Sequence, residues 1–302
     1  MKRGLVIGEP CLNDCSKKPI KVVGVMCSKR EEYACAKEDP INLELLKIAL
    51  SEAEKAGAKI ELIDLRHLQI GACKECYSTC PAQCRYDEEN NQCDCYTHKT
   101  DGVFVDDNTL LPLDEAYDRL PKKDFFKAYN SPGDFVKKDE MWKVYKALYE
   151  ADGIIFSTST SYYSRPALLQ NMFSRLCALD GGVEKLWGDG KNLENSVKYA
   201  LNKKAFYKQR LYGKHVAFIN VSKEGDSVSP DLMKACTMMG MKILPLGVAY
   251  AVSWYDDSTH RNDKKKVLSD KYALNLTRRI GSVMVREIKR NERIYGIKSK
   301  TT

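Results

Sequence analysis

The stretch KVVGVMC, residues 21–27, is a short apolar run rich in valine, and it predicts a buried β-strand. A helix is expected from about Ile41, because leucines and alanines recur there every three or four residues, and Gly57 suits the position just after its end. The next strand is predicted at KIELID, residues 59–64. This part of the sequence therefore indicates the start of an alternating α/β fold.

The same alternation resumes after residue 138. Strands are predicted at GIIFS (153–157), HVAFINV (215–221) and KILPLGV (242–248). Helices are predicted over 139–150, over 166–179 and from Ser229-Pro230 onward. Pro245 favours an edge position for the last strand, because proline cannot donate a hydrogen bond to a neighbouring strand. Short apolar strands that alternate with helices imply an α/β fold built on a doubly wound parallel sheet of five strands.

Three regions lie outside this alternation. Segment 85–137 is polar and carries prolines, and segment 180–213 is a second polar excursion rich in lysine. The chain from about Lys264 to Arg293 is expected to form one long amphipathic helix. We expect a single domain over 1–302 that includes a cysteine-rich metal-binding insertion at 71–137 and a C-terminal helical extension at 251–302.

Composition and charge restrict the class of protein. No run approaches the ~20 apolar residues that a membrane-spanning helix needs. The apolar part of the basic N-terminal start is shorter than that of a signal peptide, so the chain is expected to be unprocessed and cytoplasmic. The formal charge is +8, with lysine and arginine densest near the C-terminus. No aromatic-basic signature accompanies this charge, so nucleic acid binding is not expected.

Six of the 12 cysteines fall in one short stretch: Cys73, Cys76, Cys80, Cys84, Cys93 and Cys95. Thiolates two or three residues apart can reach one metal centre, and soft metals and iron–sulfur clusters prefer thiolate ligands. The absence of histidine among them favours an iron–sulfur cluster. The alternative is a four-thiolate zinc site formed by Cys73, Cys76, Cys93 and Cys95.

Several passages together resemble a known family. They are VVGVMCSKR (22–30), GAKIELIDLRHLQIGACKEC (57–76) and KDEMWKVYKALYEADGIIFSTSTSYYSRPALLQNMFSRL (138–176). The sequence resembles the iron–sulfur flavoproteins, within the flavodoxin-like NAD(P)H-dependent FMN reductase superfamily, over roughly 21–84 and 138–250. The resemblance implies a flavodoxin-like doubly wound parallel five-stranded sheet with an inserted cysteine-rich excursion. It also implies FMN and a 4Fe-4S cluster as cofactors.

The expected FMN site lies beyond the carboxyl ends of the parallel strands, where ligands bind in such sheets. The loop over 27–42 precedes a helix whose N-terminal amides can attract a phosphate, with Ser28, Arg30 and Asn42 as candidate donors. The loop over 157–166 offers hydroxyls and backbone amides to a flavin edge. Its candidate cofactor-binding residues are Ser159, Thr160, Ser161, Tyr162, Tyr163 and Ser164. Tyr162 or Tyr163 could stack on the ring. No catalytic residue is predicted.

The chain departs from the family pattern at both sites. An acidic, cysteine-bearing insertion separates Arg30 from Asn42, where the family has a short phosphate loop. The compact cluster motif of the family is tighter at the third cysteine than Cys76 to Cys80. The fourth ligand is therefore open among Cys84, Cys93 and Cys95. We predict a metal site formed by Cys73, Cys76, Cys80 and Cys84.

The resulting expectation is a redox flavoprotein that transfers electrons between FMN and a cysteine-ligated iron–sulfur cluster. One alternative is an NAD(P)H-dependent flavin or quinone reductase with structural zinc. Another is a non-enzymatic, metal-stapled interaction module. The resemblance also implies a homodimer or homotetramer, and the partner in electron transfer is expected to be a redox protein or a small-molecule acceptor. The sequence names neither donor nor acceptor.

Overall fold

The structure is a computed structural model, and its description covers only part of the chain. The described residues are 19–28, 39–75, 86–87, 91–93, 96, 103–104, 110–111, 118–124, 139–180, 209–223, 225–253, 255–256, 261–262 and 264–295. No helix in this part of the chain is long and apolar enough to cross a membrane.

Five parallel strands form the central sheet. They are β1 (Lys21–Met26), β2 (Lys59–Asp64), β3 (Gly153–Ser159), β4 (His215–Ser222) and β5 (Lys242–Val252). Their order is β2-β1-β3-β4-β5, and every neighbouring pair is parallel. This is the flavodoxin-like strand order, in which successive strands are added on one side of β1 and then, from β3 onward, on its other side. The predicted fold class is confirmed.

Helices cover both faces of the sheet. They are α1 (Ile41–Lys55), α2 (Met141–Glu150), α3 (Ala167–Arg175), α4 (Val228–Met238), α5 (Lys264–Ser269) and α6 (Lys271–Tyr295). A short 3₁₀ turn, Leu176–Leu179, follows α3. Buried side chains of α2, α3 and α4 form one core with the sheet, and those of α1, α5 and α6 form the other. The near-continuous apolar runs of the central strands β1, β3 and β4 are therefore buried on both faces of the sheet, as in other doubly wound sheets.

The C-terminal extension corrects one sequence prediction. The single helix expected over 264–293 is two helices, because the chain breaks at Asp270. The Asp270 carboxylate accepts hydrogen bonds from the amides of Tyr272 (2.9 Å) and Ala273 (3.1 Å). An aspartate in this position caps a new helix start and competes with continuation of the preceding helix.

The edge strand β5 confirms the prediction made from Pro245, because β5 pairs only with β4 in the described sheet. The pairing register jumps between Val216, which faces Ile243, and Phe218, which faces Val248. Leu246 has a positive φ of 53° in the extra segment. Pro245 lies in this irregular segment, where the N–H that proline lacks is not needed for the regular hydrogen bonds between β4 and β5.

Short strand pairs lie outside the main sheet. Tyr86–Asp87 pairs with Gln92–Cys93, and Val103–Phe104 pairs with Leu110–Leu111. A third pair, Tyr255–Asp256 with Arg261–Asn262, follows β5. The first pair belongs to the cysteine-rich region and carries Cys93 into a buried position. The proposed division of the chain into domain, insertion and extension stays a prediction.

Candidate functional site

The carboxyl ends of β1 and β3 meet where the sheet order reverses. The amide of Cys27 donates to the carbonyl of Ser157 at 2.8 Å, so the two strand ends lie side by side. Just beyond them, the Ser159 hydroxyl donates to the Ser28 hydroxyl oxygen at 3.2 Å. Two residues predicted from separate loops to bind one cofactor are therefore in contact.

Asn42 joins the first turn of α1 to the same edge. Its side-chain amide donates to the Ser157 carbonyl at 3.3 Å, and the Ser157 hydroxyl donates to the Asn42 carbonyl at 2.8 Å. Asn42 is 2 % exposed, and these two hydrogen bonds attach the start of α1 to the end of β3. No described side chain caps the helix start at Pro40. The free amides of a helix N-terminus and its partial positive charge suit a phosphate.

The loop after β3 closes in a tight turn from Ser161 to Ser164. The amide of each serine donates to the carbonyl of the other, at 2.9 and 3.0 Å. Tyr162 and Tyr163, between them, have positive φ angles of 46° and 61°. Their side chains are 90 % and 66 % exposed. The Ser227 hydroxyl donates to the Tyr163 carbonyl at 3.0 Å and so ties this turn to the loop after β4.

Sequence reasoning missed Asn220, which lies near the end of β4. Its side-chain amide donates to Thr160 Oγ1 at 3.2 Å and to Asp226 Oδ1 at 2.6 Å. Asn220 is fully buried, and its Oδ1 accepts no hydrogen bond from any residue that the structure describes. A buried acceptor of this kind usually has a partner. The only sequence signal was its place near the carboxyl end of a predicted strand.

Arg175, at the end of α3, is 2 % exposed and lies at the centre of a second network of polar side chains. Its Nη1 donates to Asp139 Oδ2 at 2.6 Å. Its Nη2 donates to Gln92 Oε1 at 2.7 Å and to Cys93 Sγ at 3.3 Å. Burial lowers the pKa of Arg175, but Cys93, Asp139 and Tyr145 outweigh burial and raise it above its usual value. The guanidinium therefore stays charged inside the protein.

The same arginine contacts the segment that leads to Cys73. Its Nη1 donates to the Gly71 carbonyl at 3.4 Å, and its guanidinium lies 3.8 Å from the centre of the Tyr96 ring. The Tyr96 hydroxyl in turn donates to the Ala72 carbonyl. Arg175 therefore connects α3 to two separate parts of the cysteine-rich region.

The predicted cofactor residues divide between described and undescribed parts of the chain. Ser28, Asn42 and the Ser159–Ser164 loop lie together at one edge of the sheet. Of the predicted metal ligands, Cys73 is described and partly exposed. Arg30, Cys76, Cys80, Cys84 and Cys95 lie outside the described residues. Among the residues that the structure does describe, no three histidine, cysteine or acidic side chains gather as a metal site. The iron–sulfur and zinc sites stay predictions.

The comparison with protein families decides the broad identity. The family described as NADPH-dependent FMN reductase matches residues 97–256, more than half of the chain. The chain belongs to the NADPH-dependent FMN reductase family. This membership confirms the flavodoxin-like part of the resemblance and makes the protein an FMN-binding oxidoreductase. The iron–sulfur part of the resemblance stays a prediction. No curated protein matches this FMN reductase family member.

Several solved structures are similar to this chain at low sequence identity. The crystal structure of RosB with bound intermediate OHC-RP (8-demethyl-8-formylriboflavin-5'-phosphate) is 13 % identical, with a TM-score of 0.51 over 90 % of this chain and 81 % of RosB. A flavone reductase is 16 % identical, with a TM-score of 0.45 over 90 % of this chain and 64 % of that protein. A flavodoxin from the domain Archaea is 11 % identical, with a TM-score of 0.41, and 89 % of this chain covers 99 % of it. RosB therefore supports the fold assignment.

Proposed function

We propose that this FMN reductase family member transfers electrons between FMN and an iron–sulfur cluster held by the cysteine-rich region. FMN binds at the carboxyl edge of β1 and β3, and the cluster lies in the region that begins near Cys73. The observation that carries the flavin part is the contact between Ser28 and Ser159, 3.2 Å apart at their hydroxyl oxygens. It brings the two loops chosen from the sequence to one place, the switch point where flavodoxin-like sheets bind FMN.

The residues at this edge fit a flavin phosphate and ring. Ser28 supplies a donor to the phosphate, and Asn42 holds the N-terminus of α1 against β3. Arg30, which lies outside the described residues, is the second donor predicted from the sequence. Tyr162 and Tyr163 present aromatic faces to a planar ring, because both side chains are largely exposed. When bound, FMN supplies the capacity to accept a hydride and to pass electrons on.

Several contacts keep the loop over 157–166, which we call the ring-binding loop, in one position. Thr160 accepts a hydrogen bond from Asn220, and its own hydroxyl lies 3.5 Å from the Gly225 carbonyl. The Asn220 side-chain amide also donates a hydrogen bond to the Asp226 carboxylate. The same carboxylate accepts a hydrogen bond from the backbone amide of Ser229, in the first turn of α4, at 2.9 Å. The loops after β3 and β4 therefore support each other. A loop held in this way loses less conformational entropy when it binds a cofactor.

Arg175 supports the cluster part of the proposal. It joins α3, which directly follows the ring-binding loop, to the segments around Cys73 and Cys93. A centre with several thiolate ligands is negatively charged, and a buried guanidinium nearby offsets part of that charge. The proposed ligands are those predicted from the sequence: Cys73, Cys76, Cys80 and Cys84.

The alternative within the same family is a reductase in which the cysteines hold structural zinc. The family description supports NADPH as the electron donor in either case. It also favours a reductase over a non-enzymatic interaction module. Assembly as a homodimer or homotetramer, and transfer to a redox protein or a small acceptor, remain parts of the proposal that rest on the resemblance.

Flavin titration tests the FMN site. The double variant Ser28→Ala/Arg30→Ala should bind FMN at least about tenfold more weakly, because it removes a hydroxyl and a charge-assisted donor to the phosphate. Quenching of FMN fluorescence measures the dissociation constant, and thermal unfolding checks that the variant is folded. The matched control is Ser282→Ala/Arg286→Ala on the C-terminal helix, which should bind FMN like the wild type. Unchanged affinity in the Ser28/Arg30 variant would refute this phosphate site.

A further inference from the structure

We propose that the outer face of α6 is a docking surface for a partner protein that presents acidic side chains around an apolar one. α6 contains seven basic and two acidic residues, so it supplies five of the eight excess positive charges of the chain. Six of the basic side chains are exposed and recur with the spacing of one helix face. We call them the basic face: Lys271, Arg278, Arg279, Arg286, Lys289 and Arg290.

The positive charge of the basic face is poorly balanced by nearby carboxylates. Three of its cations form no ion pair with any residue that the structure describes: Lys271, Arg278 and Arg279. Arg286 and Arg290 share one carboxylate, that of Glu287, at 4.0 and 3.8 Å. These distances are long for an ion pair, so most of the charge on this face is available to another molecule.

The neighbouring helix α1 has a balanced exposed side. Lys47 lies 3.7 Å from Glu44, and Lys55 lies 2.8 Å from Glu52. Such pairs, one helical turn apart, are typical of a helix face that contacts only solvent. Like charges at the same spacing repel each other, so the cations of the basic face do not stabilise α6 in the isolated protein. The acidic side chains of a partner would complement them.

A groove of about 430 Å³ lies between the end of α1 and the C-terminal half of the basic face. Ala56 and the buried Val285 supply apolar atoms to its lining. Three cations of the basic face border it: Arg286, Lys289 and Arg290. The Lys289 ammonium donates to the Ala56 carbonyl at 2.8 Å and holds α6 against the end of α1. An apolar centre with a charged rim is the usual arrangement of a protein–protein interface.

Other anionic partners fit this surface less well. The apolar side of α6, which includes Ile280, Met284 and Ile288, is buried in the core, so it cannot enter a lipid bilayer. Among the described residues that line the groove, none is aromatic, so nucleic acid bases have nothing there to stack on. Phosphate groups also gain nothing from the apolar lining. A peptide segment with carboxylates and one apolar side chain uses both features.

The docking surface is separate from the proposed flavin site. Ala56 follows the last residue of α1, whereas the proposed phosphate site lies at the first turn of the same helix. The 15 residues of α1 span about 22 Å at about 1.5 Å per residue. A partner bound at the groove therefore leaves the flavin edge open, and the inference does not depend on FMN or on a metal.

Fluorescence anisotropy with the full chain tests this surface. The probe is a labelled helical peptide of alanine and glutamate with one central leucine. Arg286→Gln/Arg290→Gln should bind it about fivefold or more weakly than the wild type, because two cations of the rim are lost. Lys143→Gln/Lys146→Gln removes the same charge from exposed positions of α2, on the other side of the sheet, and should bind it like the wild type. Replacing the leucine of the peptide by serine should also weaken binding to the wild type, by about threefold or more.

The same titrations give the results that would overturn the proposal. Equal losses in the two variants would show attraction to net charge alone, and equal affinity for the serine peptide would reject the groove. Tighter binding of oligothymidylate or of phosphatidylserine vesicles, lost in Arg286→Gln/Arg290→Gln, would assign the face to nucleic acid or membrane instead. Both variants should bind FMN like the wild type, which shows that they are folded. A wild type that binds the peptide but not FMN would contradict only the proposed function.

Discussion

Tyr162 and Tyr163 occupy a backbone conformation that bulky residues rarely adopt. Both have positive φ angles at the tip of the turn between Ser161 and Ser164. For an L-amino acid this conformation costs about 1–2 kcal/mol per residue, and glycine avoids that cost. Most of each side chain is exposed, so burial offsets little of this free energy. Strain of this kind is a reason to look for a function, and the proposed contact with the flavin ring would supply one.

Glycine at these two positions should separate stability from flavin binding. The double variant Tyr162→Gly/Tyr163→Gly relieves the strain but also makes the unfolded chain more flexible, so the free energy of unfolding should change by no more than about 1–2 kcal/mol. FMN should bind about tenfold or more weakly, because the two aromatic faces are lost. Urea unfolding without FMN and fluorescence titration with FMN measure the two quantities.

Tyr272→Ala is a suitable control, because Tyr272 is similarly exposed but lies on α6. It should leave FMN affinity unchanged. If the glycine variant binds FMN as tightly as the wild type, the tyrosines do not contact the flavin.

The candidate cofactor residues were predicted from their place at a strand end, and their role in binding stays a prediction. Ser28 and the Ser159–Ser164 loop were predicted in this way, and they lie at one edge of the sheet. The Arg175 network could not be predicted, because it depends on contacts between distant parts of the chain. Arg175 meets Asp139 across 36 residues and Gln92 across 83. No local pattern encodes such a meeting, which only the packing of α3 against the cysteine-rich region creates.

Among the elements, the five strands and most helices were predictable, because their apolar residues recur with the period of a strand or a helix. The ends were less predictable. The strand predicted over 153–157 continues to Ser159, since pairing with β4 extends it into polar residues. The C-terminal helix breaks at Asp270, where a side-chain cap overrides the helical pattern. Tertiary pairing and capping therefore set the boundaries.

The packing of α6 against α1 depends on Gly281. A Cβ atom at this position would collide with the backbone carbonyl of Ala49. Backbone atoms in the middle of a helix cannot move aside as a flexible side chain can. Glycine at this position therefore lets the two helices approach closely, although its helix propensity is poor.

The variant Gly281→Ala gives opposite predictions from local and tertiary effects. Helix propensity alone would stabilise the protein by about 1 kcal/mol. The collision with Ala49 should instead destabilise it by about 1–3 kcal/mol, as overpacking does in other cores. Urea unfolding measures the difference, and Ser282→Ala, at the neighbouring exposed position, is the control and should change little. A stabilised Gly281→Ala variant would show that α6 does not pack closely on α1.

At the scale of the whole molecule, α3 links the two proposed cofactor sites. The helix begins just after the ring-binding loop and ends at Arg175, which contacts Cys93 and Gly71. Its 9 residues span about 13 Å at about 1.5 Å per residue. The helix α3 therefore starts at the loop after β3, and the Arg175 side chain at its other end contacts the cysteine-rich region. This arrangement supports the proposal that FMN and the metal centre act together.

The most direct test of the account is the visible spectrum of anaerobically purified protein, recorded with FMN, iron, sulfide and zinc content. We predict about one FMN per chain, with flavin bands over broad cluster absorption that bleaches on reduction, together with iron and sulfide. Flavin bands with zinc and no sulfide would contradict the cluster and leave a zinc-stapled FMN reductase. A protein that neither retains nor rebinds FMN would contradict the flavin site between β1 and β3, which is the central claim.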